Sequence, residues 1–383
     1  MTRDMDQKGM LYVHIPFCVQ KCKYCDFLSF QSTNEMRQIY VDALCKEITA
    51  WGQYDSGVIS SVFIGGGTPS LLTIQQMEEI LSALHRNFKI EKTAEQTIEV
   101  NPGTVTEEKA KCWMENGINR ISMGVQSMNN RLLKRLGRIH DRNQIIESWK
   151  ILKKYQFQNI SFDLMMGLPE QSLQEWEQTL CDALQLEPKH LSCYSLIIEE
   201  GTPFFAEQDM LNLPDEENER QMYQRTIEIL DSAGMHQYEI SNFSIPGCES
   251  RHNTGYWRRR PYIGLGLGSA SLLREEIRYH NVNDFNQYIQ KSGDLLSLRE
   301  DIANLTVYEQ MEEFMFLGLR CTKGISPKEF CRSFGRSLES VYGNVIDKHI
   351  KNGLLHFENG WISLTRRGLD LANSVFADFL LDV

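Results

Sequence analysis

No run in the 383-residue chain approaches the roughly 18 apolar residues that a membrane-spanning helix needs. Met1 to Met10 is polar and lacks the apolar stretch of a signal peptide, so a cytoplasmic protein is expected. A basic surplus is missing as well. Lys and Arg number 40 against 51 Asp and Glu, a formal net charge of −11. That speaks against nucleic-acid binding through a general basic surface. No internal repeat or low-complexity linker interrupts the sequence. At 42% hydrophobic and 24% charged residues, the composition is that of an ordinary globular protein rather than a disordered one. A disulfide framework is not indicated either. Outside one cluster the cysteines lie singly (Cys45, Cys112, Cys181, Cys193, Cys248, Cys321 and Cys331), most of them within helical or strand patterns, as thiols do in a reducing compartment.

What is present is that cluster: Cys18, Cys22 and Cys25, spaced x3 then x2, directly behind the apolar run Leu11–Ile15. Three thiolates on a tight loop suit three irons of a cubane. A [4Fe–4S] cluster usually takes four cysteines, so a missing fourth ligand leaves one iron open to a small molecule. Tetrahedral zinc would need a fourth Cys or His. His14 is near in sequence, but a strand residue four before Cys18 is awkwardly placed for it.

Along the chain, apolar β-branched runs alternate with helical patterns. Strands are predicted at 11–15, 58–64, 97–100, 120–125, 159–166 and 190–198. Helices are predicted between them, including one long helical region after strand four, up to about Tyr155. Near-continuous apolar strands are those of a parallel sheet buried on both faces. Six units fall short of the eight that close a TIM barrel. The expected fold is α/β, an open partial (β/α)6 barrel. From about Ser292 the alternation stops. Helical patterns and a short hairpin around Glu358-Asn359-Gly360 predict a smaller, helical, winged-helix-like unit. The expected domains are 1–290 and 291–383.

Several predicted strand ends carry polar residues or glycine: Gly65-Gly66-Gly67 after strand two, Glu99 on strand three, Gln126 on strand four and Asp163 on strand five. Arg138 follows strand four. Ligands gather at this end of parallel barrels, and polar groups there are costly to bury unpaired. Consecutive glycines let a backbone approach a ligand closely. The bland reading of each residue is a tight turn, a neutralised neighbour or a surface arginine. Together they point to a polar ligand.

The cysteine spacing resembles the radical S-adenosylmethionine (SAM) superfamily, in which the open iron chelates the amino and carboxylate groups of SAM. A closer resemblance, to the oxygen-independent coproporphyrinogen III dehydrogenase (HemN) superfamily, is carried by five segments. These are Leu11-Tyr12-Val13-His14-Ile15-Pro16-Phe17-Cys18, Gly65-Gly66-Gly67-Thr68-Pro69, Ile98-Glu99-Val100-Asn101-Pro102, Met123-Gly124-Val125-Gln126 and Asp163–Pro169. It implies a [4Fe–4S] cluster on Cys18, Cys22 and Cys25 and one SAM near Tyr12, Gly66 and Glu99. It also implies a place for a second SAM near Gly67, Thr68, Gln126, Arg138 and Asp163. Tyr24 joins the residues expected at SAM.

Two departures set the chain apart from the dehydrogenase. Asp26-Phe27 stands where that enzyme has Gly-Cys, and ten residues precede the first strand where it has a longer arm. The segment His252-Asn253-Thr254-Gly255-Tyr256-Trp257 is instead similar to the HNxxYW signature of the HemW branch. That resemblance implies a haem chaperone, with haem as ligand and a haem-accepting protein, membrane-bound or not, as partner. The alternative is oxidative decarboxylation of coproporphyrinogen III, started by a 5′-deoxyadenosyl radical from SAM. His252 is the candidate axial ligand, since histidine commonly holds haem iron. Cys248 is a lesser one. Tyr256 and Trp257 offer flat apolar faces, and Arg258, Arg259 and Arg260 offer charge for propionates.

Overall fold

The computed structural model describes residues 8–54 and 57–381. The expectation about the leading segment falls largely outside them. The first half of the chain is six strand–helix units: β1 (Gly9–Ile15), α1 (Asn34–Trp51), β2 (Val58–Gly66), α2 (Ile74–Asn87), β3 (Lys89–Val100), α3 (Glu107–Glu115), β4 (Arg120–Gln126), α4 (Asn130–Arg135), α5 (Arg142–Lys154), β5 (Asn159–Met166), α6 (Leu173–Leu184) and β6 (His190–Ser195). The helices begin where the sequence caps them. Thr73, Asp141 and Ser172 each close a reciprocal capping box with the Gln or Glu three residues on. β1 to β6 run parallel in sequence order, and the sheet stays open.

After β6 come α7 (Pro203–Ala206), α8 (Glu216–Ser232), β7 (His236–Gln237), β8 (Asn242–Ser244), α9 (Arg251–Trp257), β9 (Tyr262–Leu265), β10 (Ala270–Leu273), β11 (Ile277–Asn281), α10 (Phe285–Lys291) and β12 (Arg299–Asn304). The short strands lengthen both edges, giving twelve strands in the order β12-β11-β10-β9-β1-β2-β3-β4-β5-β6-β8-β7. β9 pairs parallel with β1. These strands carry little sequence signal, because they are short and β9 is interrupted by glycine. α11 (Val307–Gly318), α12 (Pro327–Phe334), α13 (Leu338–Lys351), the hairpin β13 (Leu355–Glu358) and β14 (Trp361–Leu364), and two short helices complete the chain. They enclose a second apolar core around Met311, Phe330, Tyr342 and Phe379. The main core lies between the parallel strands and their helices.

Two expectations change in ways that matter for the site. β3 starts eight residues earlier than predicted, because its first two thirds (Lys89–Gln96) read as polar. The helical region after β4 is not continuous. It breaks between α4 and α5 at Gly137, whose φ is +76°. A Cβ at Gly137 would press on the backbone and side chain of Lys23, so the break lets the chain pass close under the cysteine loop.

Candidate functional site

The cysteine loop leaves the C-terminal end of β1 and is pinned at its base. Cys18 N–H donates to the Phe30 carbonyl (3.0 Å), and Phe30 N–H donates to that of Pro16 (2.9 Å). Midway, Lys23 N–H donates to Leu136 O, and Lys23 O accepts from Phe204 N–H, each at 3.0 Å. All three thiols are free and half-buried. Burial pushes the Cys25 thiol up, and Cys22 and Cys18 add to it.

A hydrogen-bonded arc joins two of the cysteines. Thr68 Oγ1 lies 3.5 Å from Cys18 Sγ and accepts from Asn101 Nδ2 at 2.9 Å. Asn101 Oδ1 accepts from Arg138 Nη2 at 2.7 Å, and Arg138 Nη1 lies 3.5 Å from Cys22 Sγ. Arg138 also donates to Gly124 O (2.7 Å), which fixes it over the end of β4. Asn101 was not singled out from the sequence. Its signal was the Asn-Pro that closes β3, which reads as a turn.

The residues expected around SAM converge on this end. Gln126 ends β4 with φ +65°, uncommon for a non-glycine residue and a mark of functional sites. Glu99 Oε2 accepts from Gly66 N–H at 3.0 Å. Burial, and then the Asp163 charge, push Glu99 up to about 8. Asp163 accepts from Ser122 Oγ at 3.2 Å, and burial lifts it to about 6. Tyr12 stacks on Phe63 and is hydrogen-bonded to His14 Nδ1 at 3.0 Å. Burial, then Glu99, raises its hydroxyl. Tyr24 is likewise raised, by burial first, beside Arg138 and the thiols.

Packing accounts for Gly66, Gly67 and His14. A Cβ on Gly66 would strike the His14 ring, and one on Gly67 would strike the Phe17 backbone. The glycines are required by packing of the end of β2 against β1 and the segment that follows it, whatever a ligand needs. His14 is no spare fourth ligand, because Tyr12 occupies Nδ1 and the Leu28 carbonyl lies 2.9 Å from Nε2. Among the described residues, no three His, Cys, Asp or Glu side chains converge on one metal-ion position. A cubane places its cysteines on separate irons and does not require that convergence. Three free thiols on one pinned loop, with a cationic Arg138 beside them, therefore fit a cluster better than a lone ion.

The HNTGYW segment lies elsewhere. It forms α9, which stops the opposite end of the sheet's interior. The Glu95 carboxylate accepts from the N–H groups of Arg251 and His252, both at 3.0 Å. His252 is only 1% exposed. Its Nδ1 is 2.9 Å from Ser61 Oγ and its Nε2 is 2.9 Å from the Tyr256 hydroxyl. Burial, then Arg120, pushes it down to about 3. The expected axial ligand thus offers no free nitrogen and no open face. Tyr256 spends its hydroxyl on His252 and sets its ring edge-on to Tyr262. The arginine run divides too. All three arginines line a cavity with Trp257, but only Arg259 is buried in an ion pair, with Glu313 at 2.8 Å. Cys248 is half-buried, with its thiol raised by burial.

This architecture, a parallel open sheet with a three-cysteine loop after its first strand, defines a class, and comparison with known proteins agrees. The profile of the radical SAM superfamily matches residues 12–183, and that of the HemN C-terminal domain matches 305–371. A solved structure of the coproporphyrinogen III oxidase HemN from Escherichia coli, described as a radical SAM enzyme, superposes with a TM-score of 0.86. It covers 100% of this chain and 92% of that one at 22% identity, a likeness of fold. The heme chaperone HemW of Lactococcus lactis is 38% identical over 99% of both chains. That of Bacillus subtilis is 38% identical over 96% of this chain and 98% of its own. The fold is that of a radical SAM protein with a HemN-type C-terminal unit, a class that implies a [4Fe–4S] cluster and SAM. Within it, the chain belongs to the HemW family.

Proposed function

We propose that this protein is a haem chaperone, which binds haem and passes it to acceptor proteins while carrying a [4Fe–4S] cluster and SAM. The observation that carries the reading is the near full-length identity to relatives named as heme chaperones. The HNTGYW segment and Asp26-Phe27 favour it over porphyrinogen decarboxylation. Residues 1–290 form the cluster- and SAM-bearing unit, and 291–383 the smaller one.

In this reading Cys18, Cys22 and Cys25 hold the cluster. When bound, the cluster and SAM supply one-electron chemistry at the mouth of the sheet. Thr68, Asn101 and Arg138 steady the loop and place positive charge against the thiolates, which lowers the cost of gathering three of them. Tyr12, Tyr24, Gly66, Gly67, Glu99, Gln126 and Asp163 line the place for SAM. Glu99 and Asp163 are high-pKa carboxyls that gain from an ammonium or ribose hydroxyl brought near them.

The test is a haem titration of anaerobically reconstituted protein, run beside an assay of coproporphyrinogen III consumption with SAM. Haem binding without consumption, followed by growth of a Soret band on an added apo-haem protein, is the expected result. Turnover of coproporphyrinogen III would instead establish the decarboxylase. Absence of haem binding would remove the chaperone reading.

A further inference from the structure

A sizeable cavity lies away from the cysteine loop. It measures about 500 Å³ and lies between the C-terminal end of α9 and the small unit formed by α11, α12 and the β13–β14 hairpin. That volume falls in the range of roughly 300–1,000 Å³ typical of small-molecule and cofactor sites. Ile325, Phe314 and Phe334 of its wall belong to the C-terminal core.

The lining is unusual for a chain of net charge −11. Six basic side chains face it against two acidic ones, Glu275 and Glu329. Two of the six are neutralised elsewhere, Arg259 by Glu313 and Lys8 by Glu91. The remaining four, Arg258, Arg260, Lys323 and Arg332, form no ion pair among the described residues. Two of these are steadied by an aromatic ring. Lys323 Nζ lies 4.1 Å and Arg258 Cζ 5.5 Å from the ring centroid of Trp361. Arg258 also donates to the Gly324 carbonyl at 2.7 Å. Charge held in place without a carboxylate partner is available to an outside anion.

Much of the rest of the wall is apolar and aromatic, beside Thr254 and Ser333. Trp257, Phe314, Phe334 and Trp361 line it. Arg320 stacks over Trp257 at 4.5 Å and fixes that ring. The buried Trp257 Nε1–H has no hydrogen-bond partner. A buried donor left unpaired costs free energy, and this one belongs to a ring that lines the cavity. The lining contains no His, Cys, Met or Tyr, so no residue usual as an axial haem ligand is present.

We infer that this cavity is the cargo site, taking a flat tetrapyrrole dicarboxylate by its apolar ring and its propionates and not by its iron. The inference rests on the chaperone reading and deepens it. It also gives that reading a physical sense. A cargo held by ring contacts and ion pairs leaves its iron free for the acceptor's ligand, so hand-over breaks no iron–protein bond.

The experiment compares haem with metal-free protoporphyrin IX on the full, cluster-reconstituted chain, following quenching of tryptophan fluorescence. The two should bind within about threefold of one another, because the iron makes no bond. The double variant Lys323→Glu/Arg332→Glu should lose at least about tenfold in affinity for both, through two reversed charges at the site, with cluster absorbance unchanged. Arg260→Glu, at an exposed unpaired position, carries the same test where the double variant melts early. If the parent binds haem and the charge reversals leave its affinity intact, the cavity is not the site and the chaperone reading stands. If haem binds and the metal-free ring does not, iron ligation is required and the cavity assignment fails. If the parent binds neither, the chaperone reading fails first.

Discussion

The cysteine loop and the HNTGYW segment are both short motifs of metal-binding residue types, yet they have opposite local structures. The loop sits at the C-terminal end of β1, outside the ladder, with three half-exposed free thiols and a cation beside them. α9 sits at the other end of the interior with its histidine sealed. Its backbone is capped by Glu95 and its imidazole is satisfied at both nitrogens. The difference teaches that residue type does not make a ligand. A ligand needs an unspent lone pair and an open approach, and these depend on what the rest of the fold places next to it. The first motif keeps both, and the second has spent both on the protein itself.

The sharpest way to break this contrast is to remove a thiol. Cys22→Ala should abolish the [4Fe–4S] absorbance of the anaerobically reconstituted protein, while Cys112→Ala, buried within α3, should retain it. A full cluster in the Cys22 variant would undo the assignment. Next in size is Arg138→Ala. It cuts the arc between Cys18 and Cys22, and groups in that supporting position typically change metal affinity by about 10–100-fold. Faster cluster loss to a chelator, with an unchanged melting temperature, is the expected reading.

His252→Ala should act in the opposite sense. Loss of a fully packed ring, and of the partners of Ser61 and Tyr256, should cost about 2–4 kcal/mol of stability. Haem affinity should stay within about threefold of the parent at a temperature where both are folded. A lost or shifted Soret band with full stability would restore His252 as an iron ligand.

The smallest effects are in pH, and the two regions should differ in sign. Glu99 is raised from its ordinary 4.5 to about 8. Its contribution is fully present below pH 4.5 and lost as pH rises toward 8. His252 is lowered from 6.5 to about 3. Its contribution is present above pH 6.5 and lost as pH falls toward 3. In the apo protein, Glu99→Gln should therefore flatten the decline in melting temperature between pH 5 and 8. His252→Gln should flatten the decline below pH 6. Identical pH profiles for parent and Glu99→Gln would show that Glu99 does not bury its neutral form.

Much of this was legible in advance, for identifiable reasons. The parallel strands show as continuous apolar runs because both their faces are buried. The cysteine loop shows because its spacing is rare. The polar strand ends Glu99, Gln126 and Asp163 show because they interrupt apolar runs. Asn101 was hidden, since Asn-Pro reads as a turn whether or not the amide holds an arginine. Arg138 looked like one residue of a long helix. Only the break at Gly137 carries it over the cysteines. The strands β9 to β12 were hidden because strands this short, one of them broken by glycine, have no periodicity to read.

The sequence by itself determined the fold class, the cysteine loop and the family, because these rest on local spacing and on patterns that every βα unit repeats. Tertiary structure alone decided which motif stays open. Whether His252 is a free imidazole or a satisfied plug depends on Ser61, Glu95 and Tyr256, and two of those come from strands more than 150 residues away. The same holds for the basic cavity, whose free charges come from the residues just after α9 and from the C-terminal unit. They are scattered along an acidic chain and are concentrated only where the C-terminal unit lies beside the end of α9.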